Sequence, residues 1–221
     1  ALAETPALFP QRATVACQGI EGAYSQMACD SIFKSPTILY FDTFDHVFKA
    51  VESGMCQYGI LPIENSTAGS VNAIYDLMIQ HNFSIVRSVR LKVSHNLLAK
   101  HGTKLGDIRE VFSHEQAISQ CADYLAGMKN IKVTMVENTA VAARMVAQSD
   151  RTDVAAISSR FCGEEYGLNL VQTNVQDQDN NYTRFICISK IPEIYPGADR
   201  TSLMMTLPHR PGSLYHVLSK F

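Results

Sequence analysis

The sequence has no run of basic residues, no CxxC pair, and no apolar stretch near the roughly 18 residues a membrane span requires. Each absence removes a class of function. With 19 Lys and Arg against 21 Asp and Glu, the formal net charge is −2 and the pI about 6.4. Scattered basic residues leave no electrostatic footprint for DNA, RNA or an anionic membrane. Six cysteines (17, 29, 56, 121, 162 and 187) lie mostly among apolar or small residues, without metal-like spacing to histidine. They are expected to be reduced small hydrophobes of a cytoplasmic protein, neither a disulfide framework nor a metal site. Residues 1–10 lack a positive segment followed by an apolar one, so no secretory signal is read there. Pro6 and Pro10 make residues 1–12 a linker, and a start at Ala rather than Met reads as a cut from a longer chain. The phosphate-binding P-loop, the GxGxxG turn and the GxSxG nucleophile elbow are also missing.

What is present is an ordinary globular composition, 46% hydrophobic and 18% charged, in a chain long enough for one large domain or two lobes. Strands are expected at residues 14–18, 58–63, 110–113, 131–136 and 154–158. Helices are expected at 24–33, 45–52, 70–82, from 113 to about 125, 139–148 and 159–166. The clearest is 70–82, where Val71, Ile74, Tyr75 and Met78 fall on one face at i, i+3, i+4, i+7. Repeated strand–turn–helix units predict an α/β fold with largely parallel sheets. Residues 84–93 and 95–100 read as extended segments that could cross between lobes, and the Gly/polar stretches 100–107 and 174–181 also suggest crossings. The outer lobe would hold about 13–97 plus 177–190, and the inserted lobe about 98–176, with a cleft between them. Residues 191–200, with Pro192, Pro196 and Gly197, read as a second linker. Beyond it, 201–207 reads as a strand, and Pro211-Gly212-Ser213-Leu214 opens a helix through Phe221.

Three blocks carry polar groups that ask for a chemical role. Asn181-Tyr182-Thr183-Arg184-Phe185 opens an otherwise apolar strand. Alternation should put Tyr182, Arg184, Ile186 and Ile188 on one face and Thr183, Phe185 and Cys187 on the other. Taken alone, a strand end with a solvated Arg explains it. Glu64-Asn65-Ser66 follows the apolar 58–63 strand, with Thr67 next. Turn and cap chemistry accounts for Ser66 and Thr67 as well as ligand binding does. A carboxylate straight after a buried strand needs a partner, which favours a functional Glu64. Ser113-His114 joins a strand to a helix whose N-terminal N–H groups could face an anion, with Gln120 two turns on. His114 fits a first-turn residue better than a general base, since no carboxylate is placed to orient it. The turn from Gln18 to Ser25 could hold a phosphate or a carboxylate, though a plain turn is the better reading.

In order along the chain, QGIEGAYS, GILPIENSTAGSV, the Ser113-His114…Gln120-Cys121 pattern, AAISSRFCGEEYGL and NYTRF resemble the prephenate dehydratase family over residues 14–190. The resemblance implies a type 2 periplasmic-binding-protein-like architecture of two α/β lobes around a cleft. It implies the decarboxylating dehydration of prephenate to phenylpyruvate in phenylalanine biosynthesis, a carbon–oxygen lyase reaction needing no cofactor. It implies Thr183 as the main catalytic residue, with Glu64 and Asn65, and substrate binding by Ser113, Gln120, Ser66, Thr67, Asn181 and Arg184. Strand geometry argues that Arg184 braces the loop rather than meeting substrate. Residues 201–221 resemble the start of an ACT regulatory domain, which would make L-phenylalanine a regulator if that domain were complete. A homodimer and a chorismate mutase domain fused upstream are also implied. The alternatives are arogenate dehydratase and a non-catalytic module that binds a small acid.

Overall fold

Apolar residues buried on both faces of a strand demand cover on both sides, and the first of these is β1 (Thr14–Gln18), where Val15, Ala16 and Cys17 are fully buried. A computed structural model describes residues 8–203 and 205–221. After β1 come α1 (Tyr24–Ile32), β2 (Thr37–Phe41), α2 (Phe44–Glu52), β3 (Tyr58–Asn65), β4 (Gly69–Ser70), α3 (Asn72–Gln80) and β5 (Ser84–Lys92). A second series follows: β6 (Asn96–Ala99), β7 (Glu110–Ser113), α4 (Glu115–Gln120), α5 (Ala122–Gly127), β8 (Lys132–Met135), α6 (Thr139–Gln148), β9 (Val154–Ser158), α7 (Arg160–Glu165) and β10 (Asn169–Gln172). The chain then returns to the first series through β11 (Tyr182–Ser189) and ends in α8 (Ser213–Leu218).

The strands form two sheets, ordered β2-β1-β3-β11-β5 with β4 paired to β3, and β10-β6-β9-β7-β8. This is the expected two-lobed α/β architecture. In the first lobe α1 covers one face, packing Ala28, Cys29 and Phe33 against Val15, Cys17, Phe185 and Cys187. Helices α2 and α3 cover the other, packing Phe48, Val51, Ile74 and Met78 against Leu61, Ile186 and Ile188. The second lobe repeats the plan, with α4 and α5 on one face and α6 and α7 on the other.

Several expectations need correction. The sheets are mixed rather than largely parallel: β11 runs antiparallel to both β3 and β5, and β6 antiparallel to β9 and β10. A chain that enters a second lobe and returns brings its last strand back against the direction of the first ones. Of the crossings expected, the outward one lies between β5 and β6, where the segments 84–93 and 95–100 meet, and residues 100–107 stay beside the second sheet; the chain returns through 174–181. β2, β4 and β10 were not foreseen. Of the linker at 1–12, residues 1–7 lie outside the described residues, and Phe9 is buried against Phe33, Tyr58 and Tyr195. The strand expected at 201–207 is irregular at 201–203 and 205–207, since no neighbouring strand pairs with it there; Met204 lies outside the described residues.

The lobes touch beside the first crossing. Tyr24 donates its hydroxyl to the Ser94 carbonyl at 2.9 Å and accepts the Ser94 N–H at 3.2 Å. Tyr166 donates to the Glu21 carbonyl, and the Cys162 thiol to that of Gly22. Gly22 has φ +85°, and a Cβ there would stand 2.9 Å from Cys162 Sγ, so glycine satisfies both the turn and the close approach.

Candidate active site

The antiparallel pairing of β11 with β3 sets Thr183 opposite Asn65 and Arg184 opposite Glu64. Directly opposed residues share a face and neighbouring residues do not, so the two pairs lie on opposite faces of the sheet. The expected alternation along β11 is met: Phe185 and Cys187 enter the core under α1, Ile186 and Ile188 the core under α2 and α3.

On the first face the hydrogen bonds run in one direction. Asn65 Oδ1 accepts the backbone N–H groups of Thr67 and Ala68 at 3.0 and 2.9 Å. That fixes its amide and turns Nδ2 toward β11, where it donates to Asn181 Oδ1 at 2.7 Å and Thr183 Oγ1 at 2.9 Å. Asn181, only 3% exposed, then has its own Nδ2 free to donate, and it does so to Gln120 Oε1 at 2.9 Å. Gln120 belongs to the second lobe, so the network spans the cleft. Two donors remain without a protein acceptor among the described residues: the Thr183 hydroxyl proton and the Gln120 NH2 group.

Gln120 reaches this position because its helix breaks. The sequence predicts one helix from 113 to about 125, but Cys121 has φ −120° and ψ 25°, and α4 and α5 are separate. The Asp177 N–H, on the returning crossover, takes the Gln120 carbonyl at 2.7 Å. Asp177 Oδ2 accepts the Asp123 N–H at the start of α5. A residue remote in sequence supplies both ends of the break, so no local signal could announce it. Thr67, Ser119, Gln120, Gln176, Asp177, Gln178 and Asn181 line a cavity of about 180 Å³ at this junction.

Glu64 and Thr183 do not meet. Glu64 is half exposed and lies 3.5 Å from Arg184 Nη1 on the far face, so the partner its position demanded is Arg184. Beside that pair, Arg90 sits 4.4 Å over the Tyr182 ring. A larger hollow, about 860 Å³, runs along β5 between these residues and residues 195–200. Of the directed donors Gln120 lines the smaller cavity, beside Asn181, and Thr183 is joined to that wall through Asn65 and Asn181, which makes that one the better candidate for chemistry. Ser66 braces the strand start: its hydroxyl donates to the Asn180 carbonyl and accepts the Tyr182 N–H, both at 2.8 Å. Ser113 is fully buried, with its hydroxyl given to the Ile157 carbonyl at 2.7 Å, and is absent from the cavity wall. His114 caps α4, accepting the Gln116 N–H. His95 was missed altogether: it is buried in the outward crossing, with Nε2 2.8 Å from Gln120 Oε1. A lone His before Asn96-Leu97-Leu98 gives no periodic or motif signal.

The sequence model for prephenate dehydratase matches residues 15–193. The chain belongs to the prephenate dehydratase family. It is 39% identical over 213 residues to arogenate dehydratase/prephenate dehydratase 2 of Arabidopsis thaliana, a chloroplastic protein, covering 95% of this chain and 55% of that one. It is 37% identical over 207 residues to the bifunctional chorismate mutase/prephenate dehydratase of Neisseria gonorrhoeae, covering 93% and 57%. The chain thus spans about half the length of these relatives. The prephenate dehydratase structure from Staphylococcus aureus superposes with a TM-score of 0.78 at 28% identity, covering 93% of this chain and 77% of that one. Among the described residues no helix is long and apolar enough to cross a membrane, and no cluster of three or more His, Cys, Asp or Glu could hold a metal ion.

Proposed function

We propose that this chain converts prephenate to phenylpyruvate, water and CO2. The observation that carries the reading is the direction of the Asn65 bonds: Thr183 accepts from Asn65, so its own proton is aimed elsewhere. In the reaction the ring C–CO2⁻ bond breaks and releases CO2, its electron pair enters the ring, and the ring C–OH bond breaks as the ring aromatises. The departing oxygen needs a proton. Thr183 is a very weak acid, and its role is to hold that oxygen by a hydrogen bond through which a proton is relayed. Proton delivery of this kind contributes about 10²–10⁴-fold. Asn65 orients Thr183, and Gln120 offers its NH2 to a substrate carboxylate, with Asn181 holding the two together. Thr67 lines the same cavity. Glu64, Arg184, Ser66 and Ser113 support the strands that carry these groups. The wall of the smaller cavity has no Lys or Arg among the described residues and includes Asp177, whose Oδ2 is taken by the Asp123 N–H, so amide donors would carry the recognition of the dianion there.

The reading extends to the remaining chain. Residues 13–190 form the dehydratase region, 191–200 a linker, and 201–221 the beginning of an ACT-type module through which L-phenylalanine would act. It also extends to a cytoplasmic homodimer with a chorismate mutase domain upstream, and the Neisseria relative is likewise bifunctional. Turnover of prephenate by the purified chain, followed as phenylpyruvate beside Thr183→Ala, tests the function. Rapid product from the wild type and almost none from the folded variant is expected. Conversion of arogenate alone would move the substrate to the amino analogue, and inertness toward both would leave a binding module. Light scattering tests the dimer.

A further inference from the structure

The amide network across the cleft ends on a group that the proposed reaction does not use. Asn181 donates to Gln120 Oε1, so that oxygen is an acceptor, and His95 Nε2, 2.8 Å from it, must carry a proton. His95 is therefore the neutral Nε2–H tautomer, and its Nδ1 is a lone-pair acceptor. Nδ1 is buried and has no partner among the described residues. The residue is only 3% exposed, and its backbone is tied to the returning crossover: its N–H donates to Gln176 Oε1 at 2.9 Å and its carbonyl accepts from Val175 N–H at 2.9 Å. Burial also drives its pKa down, outweighing the bond to Gln120 and favouring the uncharged ring. A buried ring with one nitrogen unsatisfied is poor as packing alone, and an apolar side chain would fill the space without that penalty. What an apolar side chain could not do is donate to Gln120.

We infer that His95 is a positioning residue, holding the Gln120 amide so that its NH2 group faces the inter-lobe cavity and donates to the substrate. This deepens the functional reading above and rests on it. Two fixed donors, His95 and Asn181, converge on Oε1 from the two crossovers that join the lobes. Turning the amide over would set its NH2 against both donors at once and present its oxygen to the carboxylate, where it would repel. Both together leave one orientation. His95 thus ties the setting of a binding group to the outward crossing, as Asn181 ties it to the return.

The test compares wild type, His95→Leu and His95→Gln, whose side-chain nitrogen stands near the place of Nε2. His95→Leu is expected to raise KM for prephenate about tenfold while kcat falls less, the mark of a lost ground-state contact. His95→Gln is expected to recover most of that loss. Wild-type KM in His95→Leu would overturn the inference, as would a His95→Gln as defective as His95→Leu yet equally well folded. Nitrogen-15 NMR gives a readout independent of turnover. The Nε2–H tautomer of His95 is expected, with two distinct Gln120 amide protons in wild type and His95→Gln that merge or broaden in His95→Leu. An inert wild type would break the functional reading and leave these spectra to decide. Identical Gln120 signals in all three proteins, or a proton on Nδ1, would overturn the positioning role.

Discussion

The two faces of β11 differ in kind. On the Thr183 face a hydroxyl and three amides form a neutral, one-way chain that is half-buried, with Asn181 buried at its middle. On the Arg184 face the groups are charged and partly exposed, and Arg184 and Arg90 are cross-strand neighbours of like charge. That juxtaposition is tolerable because Glu64 partners one guanidinium and the Tyr182 ring the other. Neighbouring residues of one short motif thus serve unlike ends. A carbon–oxygen cleavage needs a donor in a fixed orientation, and amides locked by backbone N–H groups give orientation without charge. A sheet face open to solvent needs only pairing.

Breaking the first face should cost most. Thr183→Ala removes the proposed donor to the leaving oxygen, and kcat is expected to fall about 10²–10⁴-fold with the fold intact; steady-state kinetics beside circular dichroism checks it. Asn65→Ala comes next. It frees Thr183 to turn, strips Asn181 Oδ1 of its donor and leaves the Thr67 and Ala68 N–H groups unpaired. The expected result is a loss of about 10–100-fold in kcat together with about 1–3 kcal/mol of stability, read from urea denaturation. Breaking the second face should cost little. Glu64→Gln removes a partly exposed ion pair, worth at most about 1 kcal/mol, and kcat is expected to stay within about twofold. A loss in Glu64→Gln that approached that of Asn65→Ala would erase the distinction between the faces.

Much of this was legible because it is local. Period-two alternation assigned the faces of β11, and amphipathic spacing gave α3 its buried Ile74 and Met78. The block order along the chain led to the family and the two lobes. What escaped was set by contacts between distant residues. Glu64 was expected beside Thr183 because motif order says nothing of register, and only the pairing of β3 with β11 shows that it faces Arg184. Ser113 stands at a strand end as expected, but the neighbouring β9 claims its hydroxyl. The break after Gln120 depends on Asp177, and His95 has meaning only through Gln120, 25 residues on.

The smallest expected effect separates the faces by pH. The Thr183 side is built from hydroxyl and amide groups, with His95 held neutral by burial, so kcat should stay flat through the neutral range. The α2–α3 side carries a titrating histidine. His81 Nδ1 lies 3.0 Å from Glu52 and Nε2 3.0 Å from Asp45, and its ring stacks on Phe48 at 5.2 Å. Burial alone would lower its pKa, but the two carboxylates outweigh it and raise it above 6.5. A raised folded-state value means that the protonated ring stabilises the fold fully below the unfolded pKa, and that this contribution is lost as pH rises through the folded one. Thermal unfolding should therefore fall by a few degrees at most as pH climbs past His81's raised value, because both carboxylates are open to solvent. His81→Phe should abolish that slope and leave the kcat profile unmoved. A stability that ignored pH in the wild type, or a kcat that followed the same titration, would show that the two faces are coupled through the sheet and not separate as their chemistry indicates.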